Sequence, residues 1–230
     1  MSRERVWELD FFRGICIVGV VIVHIVFDLQ YFMNMKLDTP LLFDIIQKYG
    51  SLLFILISGI CVTLGHRSIK RGLIVFACGM LITVVTYFVT RSDTDMVWFG
   101  ILHLLGICML MYPLLKNIPN SVLILIALIT IVLGYWFQTF SIPVKWLFPL
   151  GLVSPTFGSG DYFPVFPNLG YFIIGILLGR TVYREKKSIL PKVRASNPVI
   201  RAFSFLGRHS LWIYLGHQPL VYGIIMLAMQ

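Results

Sequence analysis

The apolar segment Phe11–Phe32 carries three ionisable side chains, Arg13, His24 and Asp28, and this pattern restricts the chain more than any other feature. Uninterrupted apolar runs of this length span bilayers. An ionisable group inside one is costly and is kept for packing against other polar groups or for function. On a helix the eleven-residue step from Arg13 to His24 is about 16 Å along the axis, close to three turns. The four-residue step to Asp28 adds one more turn on the same face. A cation, an imidazole and a carboxylate in one line point to a polar cavity rather than to lipid.

The rest of the chain repeats the apolar theme. Hydrophobic residues make up 58% of the 230 and charged residues 13%, about half the charged fraction of an ordinary soluble domain. The expected fold class is all-α: a polytopic integral membrane bundle forming a single domain over residues 1–230. Seven candidate spans can be drawn, at about 11–32, 50–66, 72–90, 98–115, 121–139, 165–180 and 204–228. Several are short for a bilayer core near 30 Å. The stretch from Ser141 to Pro164 holds four prolines among glycines and aromatics. It is too broken to span and reads as an outer re-entrant or cavity-lining loop. No internal repeat is visible, and no cleavable leader is expected, since the N-terminus is charged and no small-x-small site follows the first run.

Charge gives an orientation. With a cytoplasmic N-terminus, fifteen of the 19 lysines and arginines fall on the cytoplasmic side and only Lys36, Lys48, Arg91 and Lys145 fall outside. Positively charged loops stay inside. The net charge of +9 is therefore a topology signal and a contact with anionic lipid. It is not a nucleic-acid surface, because the basic residues are scattered over loops. The cysteines Cys16, Cys61, Cys78 and Cys108 all fall within spans, without CxxC spacing. They read as soft apolar packing, and no metal is expected.

Depth then sorts the polar residues. His24, His103 and His217 fall in the outer half of their spans, Asp28 lies one turn beyond His24, and Asp161 sits in the outer loop. His66 and His209 fall at the cytoplasmic edge. Convergence of three imidazoles and two carboxylates is the expectation. A neutral imidazole takes a proton from a hydroxyl or ammonium near neutral pH, and a carboxylate one turn away can orient it. No nucleophilic Ser or Cys motif accompanies the set, so direct transfer is simpler than a covalent intermediate. Two other readings stay open: a proton-coupled transporter of a small molecule or lipid with His24 and Asp28 as a relay, and an assembly protein in which the polar face is helix–helix glue.

Four motifs bring in a family. They are Glu8-Leu-Asp-Phe-Phe-Arg-Gly14 followed by His24; Phe54-Ile-Leu-Ile-Ser-Gly59; Asp161-Tyr-Phe-Pro-Val-Phe-Pro-Asn-Leu-Gly170; and Leu206-Gly-Arg-His-Ser-Leu-Trp-Ile-Tyr-Leu-Gly-His-Gln-Pro219. Together they resemble bacterial membrane proteins related to heparan-α-glucosaminide N-acetyltransferase, within the transmembrane acyltransferase superfamily. The resemblance implies an O- or N-acetyltransferase of the bacterial cytoplasmic membrane, moving an acetyl group from cytoplasmic acetyl-CoA to an extracytoplasmic glycan or sugar. It implies Arg13 and His24 as site residues. The expected roles are His24 with Asp28 in catalysis, Arg13, Arg208 and His209 at the acyl-CoA, and His103, Asp161, Tyr162, His217 and Gln218 at the acceptor. Acyl-CoA, the sugar acceptor and the lipid bilayer are the expected partners, with no nucleic acid, and a homodimer is compatible with the pattern. One departure stands out: the loop from Gln30 to Tyr49 has no histidine, whereas the eukaryotic acetyltransferase carries there the histidine usually held catalytic.

Overall fold

The computed structural model describes residues 6–228, apart from 34, 37, 91, 93 and 194. Arg3, Arg5, Arg91 and Arg194 of the charge pattern lie outside the described residues. The chain is helical: α1 (Trp7–Met33), α2 (Leu41–Leu64), α3 (Ser68–Val89), α4 (Ile101–Leu115), α5 (Asn120–Phe137), α6 (Val165–Thr181), α7 (Pro198–Arg208) and α8 (Ser210–Ala228). A 3-10 helix of six residues, Lys145–Leu150, interrupts the loop before α6. Among the described residues the only β pairing is an isolated parallel bridge between Phe99 and Tyr162.

The helices are built from aliphatic runs that expose large apolar side chains instead of hiding them. On α3, Leu73, Leu81, Tyr87 and Phe88 are more than half exposed, and on α5 so are Leu125, Leu128 and Val132. A helix that is apolar all round needs an apolar solvent, so this is a helical membrane bundle. Helix starts follow local chemistry. Asn197 caps α7, accepting the Val199 N–H at 2.9 Å, and Pro198 occupies the first turn, where its missing N–H costs nothing. Pro119 and Pro164 stand just before α5 and α6.

The seven-span reading needs adjustment. By length and composition α1, α3 and α5 can cross a membrane, and α2 makes a fourth if its two parts count as one span; they meet at 44° around residue 48. That bend falls beside the Gly50-Ser51 pair, a common cause of kinks. The apolar helices α4 and α6 have 15 and 17 residues, α6 with extended backbone at Phe166 near its start, so both run about 22 Å as continuous helix. The expected span 204–228 is divided, because His209 leaves helical geometry (φ −102°) and its N–H bonds back to the carbonyls closing α7. The polar run Gly207-Arg-His-Ser210 ends one helix and begins the next.

The chain forms two compact units. The first runs to Ile57 and resumes at Glu185; the second covers Ser58–Arg184. In the first unit α1 packs on α7 and α8. A Cβ on Gly14 would meet the Phe203 carbonyl, and one on Gly207 the Asp10 carbonyl, so the two backbones cross in direct contact, as small residues allow in membranes. Glu8, fully buried in the first turn of α1, accepts the Ile189 N–H at 2.8 Å and ties the 185–197 segment to the start of the helix.

In the second unit α3 packs on α4, α5 on α6, and α4 on α6. Arg180 near the end of α6 donates to the carbonyls of Leu115 (2.9 Å) and Ile118 (2.7 Å) and to Asn120 Oδ1 (3.1 Å). A cation at these carbonyls complements the negative end of α4 and fixes the α4–α5 turn.

Candidate functional site

The first unit gathers its polar residues along the contact of α1 with α8. The His24 and His217 rings lie 4.9 Å apart at 58°. His217 Nδ1 is 2.6 Å from the Tyr214 carbonyl oxygen. A carbonyl only accepts, so the proton is on Nδ1 and Nε2 is the basic nitrogen of the neutral ring. Next along both helices, Gln218 donates its amide N–H to the Asp28 carboxylate. Asp28 is 2% exposed, and its Oδ2 and the Gln218 Oε1 are buried without hydrogen-bond partners among the described residues. The result is a ladder of two rungs, His24 with His217 and Asp28 with Gln218. No hydrogen bond joins His24 to Asp28, so Asp28 orients Gln218 and not the imidazole one turn away.

Arg13 lies toward the start of α1. Its guanidinium carbon is 5.8 Å from the centre of the Phe54 ring, a cation–π distance. Its Nε is buried without a hydrogen-bond partner among the described residues, a donor suited to an acceptor oxygen. Gly14, the residue after Arg13, and Gly207, the residue before Arg208, meet at the α1–α7 crossing. Arg13 and Arg208 therefore flank one contact. Arg208 is exposed. His209 is exposed as well, with its ring 4.3 Å from that of Phe205 and its Nδ1 2.9 Å from the Phe205 carbonyl.

The second unit gathers the other set. His103, 2% exposed, accepts the Gly100 N–H on Nδ1 at 3.1 Å. Its Nε2 is 3.2 Å from Thr83 Oγ1, which gives its own proton to the Val97 carbonyl at 2.7 Å. The ring is thus the Nε2–H tautomer with both nitrogens engaged. Asp161 Oδ2 accepts the Ile101 N–H at 3.2 Å, placing a carboxylate at the positive end of α4. Around it Ser159 accepts the Trp98 N–H and donates to the Asp161 carbonyl, and the Phe163 N–H bonds the Phe99 carbonyl. Tyr162 donates to the Phe148 carbonyl at 2.6 Å. Burial pushes its hydroxyl above the usual phenol range, keeping it a neutral donor. Phe148, Phe157 and Tyr162 pack ring on ring.

The expected site residues thus fall into two sets: Arg13, His24, Asp28, Arg208, His209, His217 and Gln218 in the first unit, and His103, Asp161 and Tyr162 in the second. In the second set each side chain completes the fold of the loop onto α4, and a substrate contact through His103 would require breaking one of its bonds. Sequence reasoning missed the partners: Tyr214, which orients His217; Thr83, which fixes His103; and the bond from Glu8, read as part of the charged terminus and of the first motif, to the Ile189 N–H. Tyr214 and His217 are three residues apart on α8, the one local signal present. Among the described residues no group of three or more His, Cys, Asp or Glu is placed to hold a metal ion.

A family model described as heparan-alpha-glucosaminide N-acetyltransferase, catalytic, matches residues 5–219, across both units. The chain belongs to this family. Membership makes it an acetyltransferase-type enzyme, and its apolar helices make it a membrane protein. No curated protein and no solved structure matches the chain. The four motifs quoted from the sequence lie within the matched residues and on the elements described above. Arg13-Gly14 and Gly207-Arg208 sit at the α1–α7 crossing, Asp161 to Gly170 form the start of α6 and the loop before it, and His217-Gln218 face α1.

Proposed function

We propose that the chain moves an acetyl group from acetyl-CoA, entering at the cytoplasmic face, to a hydroxyl or amino group of an extracytoplasmic sugar, with His24 as general base. The observation that carries this reading is the contact of His24 with His217 beside the bonded pair Asp28–Gln218, on the helices of a chain from an acetyltransferase family. Two adjacent imidazoles hold one added proton more readily than two, so one ring accepts while its neighbour stays neutral. His24 takes the proton of the acceptor hydroxyl or amine as that atom attacks the thioester carbonyl. The tetrahedral adduct collapses with loss of the thiolate, and the imidazolium returns its proton to the sulfur, leaving free CoA and an acetylated sugar.

Arg13, with a buried donor and about 16 Å from His24 along the helix, suits the phosphate end of the donor, and the distance suits an extended pantetheine arm. Arg208 on the other side of the α1–α7 crossing is the second cation available there. Arg180, in contrast, is committed to the α4–α5 turn. The cytoplasmic N-terminus and the inner-membrane location of a bacterial cell follow from the same reading and from the charge bias of the loops.

The test is acetyl transfer by purified full-length protein in detergent, with acetyl-CoA and small sugars, for wild type and His24→Ala. Turnover should fall about 10²–10⁴-fold, the worth of a general base, with acetyl-CoA affinity nearly unchanged. Near-normal turnover by folded His24→Ala would remove His24 from this role.

A further inference from the structure

Among the described residues, two oxygens in the first unit have no donor. Asp28 Oδ2 and Gln218 Oε1 are buried without hydrogen-bond partners, on side chains already bonded to each other. A buried acceptor left unmatched costs as much as a lost hydrogen bond, and two adjacent ones in an apolar helical setting need an occupant that donates. The orientation of Gln218 is not arbitrary. Only its NH2 can donate to a carboxylate, so Asp28 turns the carboxamide and forces Oε1 to the other side. A thioester carbonyl or a phosphate oxygen only accepts and does not fit there. A hydroxyl or amino group does.

We infer that Gln218 binds the acyl acceptor: Asp28 holds its carboxamide so that Gln218 Oε1 and Asp28 Oδ2 together accept hydrogen bonds from neighbouring hydroxyl or amino groups beside the reacting atom. Asp28 is then a positioning residue toward Gln218, and its own free oxygen completes the pair. The inference rests on the acyltransferase reading, since it takes His24 and His217, one rung away, as the place of reaction. It separates the two substrates by chemistry: the acceptor, rich in donors, at the Asp28–Gln218 rung, and the donor molecule elsewhere.

The experiment is an exchange of the two side chains in the full-length protein. Gln218→Glu sets two acceptors against each other. Asp28→Asn releases the carboxamide to turn. The double variant Asp28→Asn/Gln218→Glu restores the bond in reverse, with the amide now on α1 donating to a carboxylate on α8, and leaves an acceptor oxygen where Oε1 was. Gln218→Met, of similar length, removes both groups. Steady-state transfer from acetyl-CoA to glucosamine and to glucose is measured, and binding of the same sugars is followed by saturation-transfer NMR on samples shown folded by thermal melting.

Each single variant should raise the acceptor KM about tenfold, the worth of one hydrogen bond, and leave the acetyl-CoA KM within about twofold. The double variant should recover most of the loss. If wild type binds the sugars but transfers no acetyl group, the same series read by binding still supports the inference, and the acyltransferase reading falls. If wild type transfers acetyl and the double variant is no better than the worse single one, the inference is overturned. Wild-type acceptor affinity in Gln218→Met, or single variants that lower kcat with acceptor KM unchanged, overturns it too, as does a folded wild type that neither acetylates nor binds either sugar.

Discussion

Gly207 on α7 lies so close to the backbone of α1 that a methyl group added to it would occupy the position of the Asp10 carbonyl oxygen. Gly14 makes the reciprocal approach to the Phe203 carbonyl. The glycines of the Arg13-Gly14 and Gly207-Arg208 motifs thus have a packing reason, and it bears on function because an arginine flanks each. Gly207→Ala and Gly14→Ala should each destabilise by about 1–3 kcal/mol, the usual cost of overpacking a close contact. Thermal unfolding in detergent measures this. The two together should cost less than the sum of the singles, because the first already separates the helices.

Arg13 should matter to the donor. Arg13→Ala is expected to weaken CoA binding by about 1.5–3 kcal/mol, the range for a charge-assisted hydrogen bond. Arg13→Lys should recover only part, since a fork of donors becomes a point charge. Calorimetric titration with CoA gives the answer, and equal affinity in wild type and Arg13→Ala would rule out the donor path along α1.

Arg180 should behave in the opposite manner. Its bonds to the Leu115 and Ile118 carbonyls and to Asn120 make Arg180→Ala destabilising by about 2 kcal/mol, while CoA affinity stays at the wild-type value. A fall in CoA affinity with no change in melting would assign it to the ligand instead.

His103 provides a control within the histidine set. His103→Ala leaves the Gly100 N–H without its acceptor and Thr83 without its donor, at about 1–3 kcal/mol. Its specific activity, corrected for folded protein, should remain close to wild type. A loss of the size expected for His24→Ala, with unchanged melting, would place His103 in the chemistry.

Asp161 caps α4 in the same supporting manner. Asp161→Ala should cost about 0.5–2 kcal/mol and Asp161→Asn less, because an amide oxygen still caps while the charge is lost. Hydrogen exchange at the Ile101 amide reports this directly and should be faster in the alanine variant.

The helices were legible because apolar runs and proline or asparagine boundaries are local properties. Expected and observed ends agree within two residues for α5 and α6 and within four for α1, α3 and α4. The break at His209 was not, although Gly207-Arg-His-Ser210 is polar, because an apolar average over 204–228 hides a four-residue interruption. The line of Arg13, His24 and Asp28 followed from helical period alone. That His217 meets His24, and that Gln218 rather than His24 pairs with Asp28, depends on which helices touch, and spacing along one helix carries no such information. His103 and Asp161 were equally visible as polar residues in apolar surroundings. The Gly100 amide on His103 is local, but Thr83 on His103 and the Ile101 amide on Asp161 come from 20 and 60 residues away.

The partners of α1 are made late. Its first turn is tied to Ile189 through Glu8 and its face is covered by α7 and α8. At 5–20 residues per second, a ribosome needs on the order of 10 to 30 s to travel from the end of α1 to the start of α7. During that interval α1 carries His24 and Asp28 without His217 and Gln218, the α8 residues that later match them. Polar side chains of this kind are costly in bare lipid, so α1 made without α7 and α8 should sit less stably in a membrane than α1 of the whole chain.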